Sequence, residues 1–503
     1  MKLGDTQDIQ NRTPIIDAML EFRKRLKDGF VNLCGLGHKF AHTVDSSLRD
    51  FWGSQALDSD YYPRLCLDCI ETPRSHIKES LELTRELYKT KWTFFSPSGT
   101  SPLNTVMICS TISNGDKILV ARHSHKSVFW GIYIAGAIPV YLETPIDDKR
   151  KILLNTTYEA VEDALNKNPD IKAVHLSSPT MYGFHIDLPK IEKLVHSRNI
   201  ALLVDEAWGS LMPFCDKYPK SAIEIGADLV IQSNHKDGPA VVGSGLLHVC
   251  TDRIPIKRVQ MNLNRVLSTS PSAWVLSSHD AARKLFAQNG YEICMKAMEN
   301  ASYARKEVNQ IPGFYVPGND MIGRPGVFAY SPNRVVVFVE EQLGLTGWEM
   351  LDILNAKYNI GVMGPALHYF VPSNTYSNSK EDWAKFINAL KEISKDNYSP
   401  TKKRQWVPMK FPRLPQVKLP IREAYDNKKT KLVPIDESLN KVIASLVCAY
   451  PPGMAMIMEG EIMTQEILDF IKSYIEAEKT GQIKCGQTLA GLEDNNTKIP
   501  IFE

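Results

Sequence analysis

Leu202-Leu203-Val204-Asp205-Glu206-Ala207-Trp208-Gly209 is the stretch that decides the architecture. A short apolar run ended by two acids and a small-residue turn reads as a buried strand with Asp205 at its carboxyl end. Similar runs flank it at Lys117–Ala121, Ile138–Leu142, Ala173–Leu176, Asp228–Gln232 and Gly245–Val249, with amphipathic stretches such as Thr157–Leu165 and Leu188–His196 between them. Strand–helix alternation of this kind builds an α/β fold with a mostly parallel central sheet, covered by helices on both faces. Ligands of such sheets collect beyond the carboxyl ends of the strands. That rim is where chemistry is to be sought.

Three segments reach it with unusual side chains. Asp205 needs a cationic partner there, because a half-buried carboxylate otherwise takes up a proton; a metal, a basic side chain or a protonated heterocycle would each serve. Ser98-Gly99-Thr100-Ser101 leads into the helical stretch Leu103–Ser110. Such a turn offers backbone N–H groups and two hydroxyls to a phosphate, and it equally suits a plain helix cap. Ile231-Gln232-Ser233-Asn234-His235-Lys236 places a lysine just past a strand, thirty-one residues after Asp205. A lysine becomes a nucleophile when burial or a neighbouring cation lowers its pKa. Phosphate turn, carboxylate and amine together are what pyridoxal phosphate requires: a phosphate cradle, a partner for its ring nitrogen and an amine for its Schiff base. A fourth segment, Arg122-His123-Ser124-His125, follows another strand, where an imidazole could lie on a cofactor ring.

Composition narrows the field. With 59 basic and 57 acidic side chains in 503 residues the formal charge is +2, which speaks against nucleic acid or an anionic membrane as a partner. No apolar run has the roughly 20 residues needed to span a bilayer. The opening MKLGDTQDIQNRTP has no apolar signal core, and its acids Asp5 and Asp8 do not suit a transit peptide, so a cytoplasmic protein is expected. Nine cysteines are scattered, and only Cys66 and Cys69 form a CxxC; zinc would need further ligands such as Cys34, His38 or His42, a redox pair would sit at a helix start, and otherwise these are reduced thiols. The organisation expected is an arm with a helix at Pro14–Leu26 (residues 1–73), a large domain (74–320), a small α/β domain (321–400), and a Pro- and Lys-rich linker with a C-terminal domain (401–503).

The chain resembles the Orn/Lys/Arg decarboxylases of the pyridoxal-phosphate, aspartate-aminotransferase-like fold type I, in their short form without a wing domain. The resemblance runs nearly the whole length, through TPIIDAML, GHK, SGTS, RHSHKS, SSPTMYG, LLVDEAWG, GADLVIQSNHK, LSTSPS with DAAR, LGLTGWE, IREA and AYPPG. It implies that Lys236 forms the Schiff base, Asp205 pairs with the ring nitrogen and His125 stacks on the ring. Gly99, Thr100, Ser101, Ser233 and His235 would surround the phosphate, and Ala207 and Trp208 would line the ring and the substrate side. Thr269 and Ser270 would come from a neighbouring subunit, which implies a homodimer or larger assembly. Glu461, in MEGE, would face the distal amine of the substrate. No metal is implied. The expected reaction is decarboxylation of arginine, lysine or ornithine to the corresponding polyamine-type amine. Alternatives are another outcome on the same cofactor (aminotransferase, oxidase or lyase) or a catalytically silent partner subunit.

Some positions depart from the family pattern. Pro102 follows Ser101 where a small residue is usual, Asp237-Gly238 follows the lysine, and Val241–Val249 lacks the usual hydroxyl pattern. Asp237 is either an extra carboxylate beside the amine or half of a turn-forming Asp-Gly pair.

Overall fold

The structure is a computed structural model that describes residues 9–401, 403–449, 454–484 and 489–503. The turn expected at 450–453, within the AYPPG motif, and Cys485 lie outside the described residues. Seven strands carry the architecture: β1 (Trp92–Ser96), β2 (Lys117–Ala121), β3 (Ile138–Leu142), β4 (Ile171–Ser177), β5 (Ala201–Asp205), β6 (Leu229–Ser233) and β7 (Gly245–Val249). β1, Trp92-Thr93-Phe94-Phe95-Ser96, is a strand not among those expected, and it runs antiparallel to its neighbour.

The chain divides into two compact units. The first comprises residues 1–110, 203–216 and 220–293. In it β1 pairs with β7 and β7 with β6, both antiparallel, while β6 runs parallel to β5 with Asp205 opposite Ile231. Every residue of β5, β6 and β7 is buried, as strands covered on both faces require. The Pro14–Lys27 helix turns Ile15, Ala18 and Phe22 inward, and the His76–Tyr88 helix does the same with Ile77, Leu81 and Tyr88. Buried Asp280 ties these pieces together, accepting from Ile15 N at 3.0 Å, Ser80 Oγ at 2.8 Å and Arg283 at 3.1 Å. Residues 29–73, without sequence periodicity, hold only short helices such as Ser46–Trp52 and Pro63–Leu65.

The second unit comprises residues 111–202, 217–219 and 294–503. Its parallel strands run in the order β4-β2-β3. The helices Tyr158–Lys167 and Leu188–Ser197 begin on the side-chain caps Thr157 and Asp187, the first starting one residue after the expected position and the second on it. Further along, Val337, Leu354, Phe370 and Leu390 share one apolar core, and Ile443, Ile467, Ile471 and Ile499 share another. Residues 403–416, rich in Pro and Lys, form no helix or strand. No helix among the described residues is long and apolar enough to cross a membrane.

Candidate active site

Strand ends gather the expected residues of the first unit. At the end of β5, buried Asp205 accepts from Asn104 Nδ2 at 3.0 Å on one oxygen and from Ala207 N at 3.0 Å on the other. Both partners are neutral donors, and each carboxylate oxygen retains lone-pair capacity for a cationic N–H. Asn104 was not foreseen. Its signal is an amide, 1% exposed, between the buried Leu103 and Val106 of the Ser101–Thr111 helix.

Thr100 Oγ1 and Ser233 Oγ stand 3.0 Å apart, so the turn before that helix and the end of β6 converge through their hydroxyls. Gly99 adopts φ +74°, where a side chain would be strained, and its N–H donates to Gly243 O at 2.6 Å. The two loops approach so closely that a Cβ on Gly245 would lie 2.6 Å from Gly99 O. Here glycine is a packing requirement.

Lys236 follows on the next turn, its Nζ 4.2 Å from the centre of the Trp208 ring. His235 Nδ1 lies 2.8 Å from Ser244 O, a bond in which the ring must donate because a carbonyl only accepts. Burial, aided by the charge of Lys236, lowers the His235 pKa and favours the neutral ring. A phosphate met through Nε2 therefore calls for a protonated imidazole or a protonated phosphate oxygen. Asp237 is buried. A Cβ on Gly238 would lie 2.6 Å from Asn234 Oδ1, a buried side-chain oxygen with no hydrogen-bond partner among the described residues. Thr269 and Ser270 are exposed, on the loop before the helix that starts at Ala273.

The remaining expected residues belong to the second unit. His125 caps the Lys126–Ala135 helix, its Nδ1 accepting from Ser127 N at 3.3 Å and lying 2.8 Å from Ser127 Oγ. That assignment leaves the proton of a neutral ring on Nε2. Glu461 is 1% exposed and its two oxygens take a paired fork from Arg122, at 2.7 and 2.8 Å. Met458 N donates to the same carboxylate at 2.8 Å, and Arg122 also reaches Ala455 O and Met456 O at 3.3 Å each. Burial works against the Arg122 charge, but Glu461 and Tyr141 outweigh it and its pKa is raised. The carboxylate assigned to a substrate amine by resemblance is thus engaged within the chain, and Arg122 is the partner that sequence reading missed.

Elsewhere, burial pushes the Cys66 thiol up to about 12, the reverse of what a reactive thiol needs. Among the described residues no group of three or more His, Cys, Asp or Glu side chains is placed to hold a metal ion.

Comparison with known proteins places the arrangement. The fold matches E. coli constitutive lysine decarboxylase with a TM-score of 0.82 at 16% identity, over 98% of this chain and 82% of that one. The architecture is that of the pyridoxal-phosphate enzymes of fold type I, mixed α/β with a large, mostly parallel sheet. Residues 13–342 match the Orn/Lys/Arg decarboxylase major domain and residues 406–481 the C-terminal domain of the same family. The chain belongs to the Orn/Lys/Arg decarboxylase family, and it is an amino-acid decarboxylase. Arginine decarboxylase of Bacillus anthracis is 34% identical over 468 residues, spanning 93% of this chain and 94% of that protein. Arginine decarboxylase of Bacillus subtilis (strain 168) is 32% identical, spanning 88% and 90% respectively.

Proposed function

We propose that the protein decarboxylates a basic amino acid, arginine first and lysine or ornithine next, with pyridoxal phosphate carried on Lys236. The observation that carries the reading is that the first unit holds three features at or just past its strand ends. They are the hydroxyl pair Thr100–Ser233, the oriented carboxylate of Asp205, and the Lys236 amine over Trp208. The donor set fits the cofactor: hydroxyls for a phosphate, a carboxylate with spare lone pairs for a ring N–H, and a primary amine for an aldehyde. Arginine ranks first because relatives of that name span about nine-tenths of the chain.

When bound, pyridoxal phosphate supplies an electron sink for the pair left on the substrate Cα as the carboxylate departs. The chain's own residues prepare that step. Asp205 keeps its charge aimed at one point, because Asn104 and the Ala207 amide fix both of its oxygens. A carboxylate held this way stabilises a proton on a facing nitrogen. Trp208 shields one side of the Lys236 amine from water and tolerates its charge through the ring face. Thr100, Ser101 and Ser233 would anchor the phosphate, with Gly99 and Gly245 letting the backbones close in. His125 enters the proposal from the sequence resemblance, as do Thr269 and Ser270 from a second copy in a cytoplasmic homodimer.

Incubation of the purified protein and pyridoxal phosphate with a mixture of amino acids, followed by product identification by mass, tests the reading. Agmatine and CO₂ are expected; a keto acid without CO₂ would refute decarboxylation, and cadaverine or putrescine would reassign the substrate. Borohydride reduction should fix the cofactor to the wild-type chain and not to Lys236→Ala. A cofactor fixed at another lysine would remove Lys236 from the mechanism.

A further inference from the structure

Beside Asp205 lies a second acid that the reaction does not explain. Glu206 is 1% exposed. Its carboxylate accepts from Ser221 Oγ at 2.6 Å, Ala222 N at 2.8 Å and Gln232 Nε2 at 2.7 Å. Gln232 precedes Ser233 on β6, and its amide also reaches Gly209 O at 3.4 Å. The turn closes on the same side chain, because a Cβ on Gly209 would lie 2.5 Å from Glu206 Cγ. Glu206 N donates to Ile231 O at 2.9 Å, which continues the β5–β6 pairing past Asp205. One side chain therefore ties the Asp205–Trp208 turn to the strand end that leads into Ser233 and Lys236.

We propose that Glu206 is a positioning residue for cofactor binding, whose ionised carboxylate holds these two strand ends in register. The inference rests on the pyridoxal-phosphate reading above. All three bonds place a donor on the carboxylate, and only ionisation leaves every lone pair free to accept them. A proton on either oxygen competes with one of them and loosens the tie.

The surroundings make that proton available near neutrality. Burial raises the pKa of Glu206 to about 7, with the nearby charge of Glu224 adding to it and the three donors opposing it. The other titratable groups that sense it are Tyr88 on the His76–Tyr88 helix and Cys250 after β7, both pushed up by their own burial and by Glu206. Neither loses its proton near neutral pH, so Glu206 is the group that changes.

The test is titration of apo-protein with pyridoxal phosphate, followed by tryptophan fluorescence, at pH 6 and pH 8 for wild type, Glu206→Gln and Ser221→Ala. Glutamine keeps the shape but cannot accept on both arms, so it imitates the protonated acid. The wild type should bind about tenfold more tightly than Glu206→Gln at pH 8 and nearly equally at pH 6, as loss of one charge-assisted hydrogen bond implies. Ser221→Ala removes one donor and should move the wild-type transition to higher pH. This second variant keeps the test open if Glu206→Gln does not fold. A wild-type advantage that is the same at both pH values, or absent at both, overturns the inference, as does an unmoved transition in Ser221→Ala. Failure of the wild type to bind the cofactor at either pH would instead overturn the pyridoxal-phosphate reading, and this inference with it.

Discussion

Replacing Glu461 by glutamine separates two roles that one residue cannot fill at once. In the structure the Arg122 and Glu461 side chains are 8% and 1% exposed and form a paired fork. Glutamine preserves volume and an acceptor for Met458 N, but leaves the guanidinium buried without its counter-charge. At a charge separation of ~4 Å and an effective dielectric constant of about 20, the lost attraction is about 4 kcal/mol. Breaking a buried pair by removing one partner costs roughly 3–5 kcal/mol, so both estimates point to a loss that a modest protein notices. Arg122→Met with Glu461→Gln removes the stranded charge as well, and the double variant should recover part of it, with a coupling of about 2–3 kcal/mol. The assay is urea unfolding of the apo-protein, followed by circular dichroism, for both single variants and the double. KM for the amino acid is measured beside it. The expected pattern is a clear fall in the urea midpoint for Glu461→Gln, partly restored in the double variant. A wild-type midpoint with KM alone increased would refute the reasoning and return Glu461 to the substrate.

Three further outcomes follow from the first unit. Asp205→Asn should lower kcat by about 100- to 1,000-fold, the scale for loss of one preorganised electrostatic group, without a matching loss of thermal stability; steady-state kinetics and a melting curve check it. Gly245→Ala would set a Cβ 2.6 Å from Gly99 O, where only backbone can yield; a cost of about 1–3 kcal/mol and weaker cofactor binding are expected, read by urea midpoint and fluorescence titration. Glu206 has a folded-state pKa of about 7 against an ordinary 4.5. Between those values the folded state holds more protons than the unfolded one, so this group makes stability fall as pH rises, by about 3 kcal/mol in total. The difference in unfolding free energy between wild type and Glu206→Gln should therefore vary across pH 4.5–7 and be constant above it; a difference constant throughout would refute the assignment.

The strands around the site were legible because strands buried on both faces write themselves as short apolar runs. β2, β3 and β7 fall on the residues expected, and β4, β5 and β6 differ only at their ends. Asp205, Ser233 and Lys236 could be placed at the rim for the same reason. β1 was not, since Thr93 and Ser96 leave only Trp92, Phe94 and Phe95 as apolar residues in a five-residue strand. Side-chain partnerships across the chain were out of reach for a different reason. Arg122 and Glu461 lie 339 residues apart, and Asn104 meets Asp205 from 101 residues away. Nothing in local periodicity records such a meeting. The family resemblance supplied a role for Glu461 but no partner, and the partner changes what the residue can do.

Asp205 and Glu206 show how far a strand end can separate two neighbouring carboxylates. Successive side chains of a strand point to opposite faces, and the two acids meet different company. Asp205 has one neutral donor on each oxygen and lies at the rim, so it retains capacity for a ligand cation. Glu206 meets three donors in the interior, two of them on one oxygen, and its bonds are spent on the chain itself. On the proposed reading the two acids divide the work: Asp205 would carry charge to the ligand, while Glu206 would keep the strand end in place. It also sets the requirement for exchange. Swapping them, as Asp205→Glu with Glu206→Asp, keeps the net charge but shortens the interior arm by one methylene and lengthens the rim arm by the same amount. Ser221, Ala222 and Gln232 would then lose reach to their acceptor, and cofactor binding should weaken more than in Asp205→Glu alone. A double variant that binds pyridoxal phosphate as well as Asp205→Glu would show that the interior acid does not position the rim.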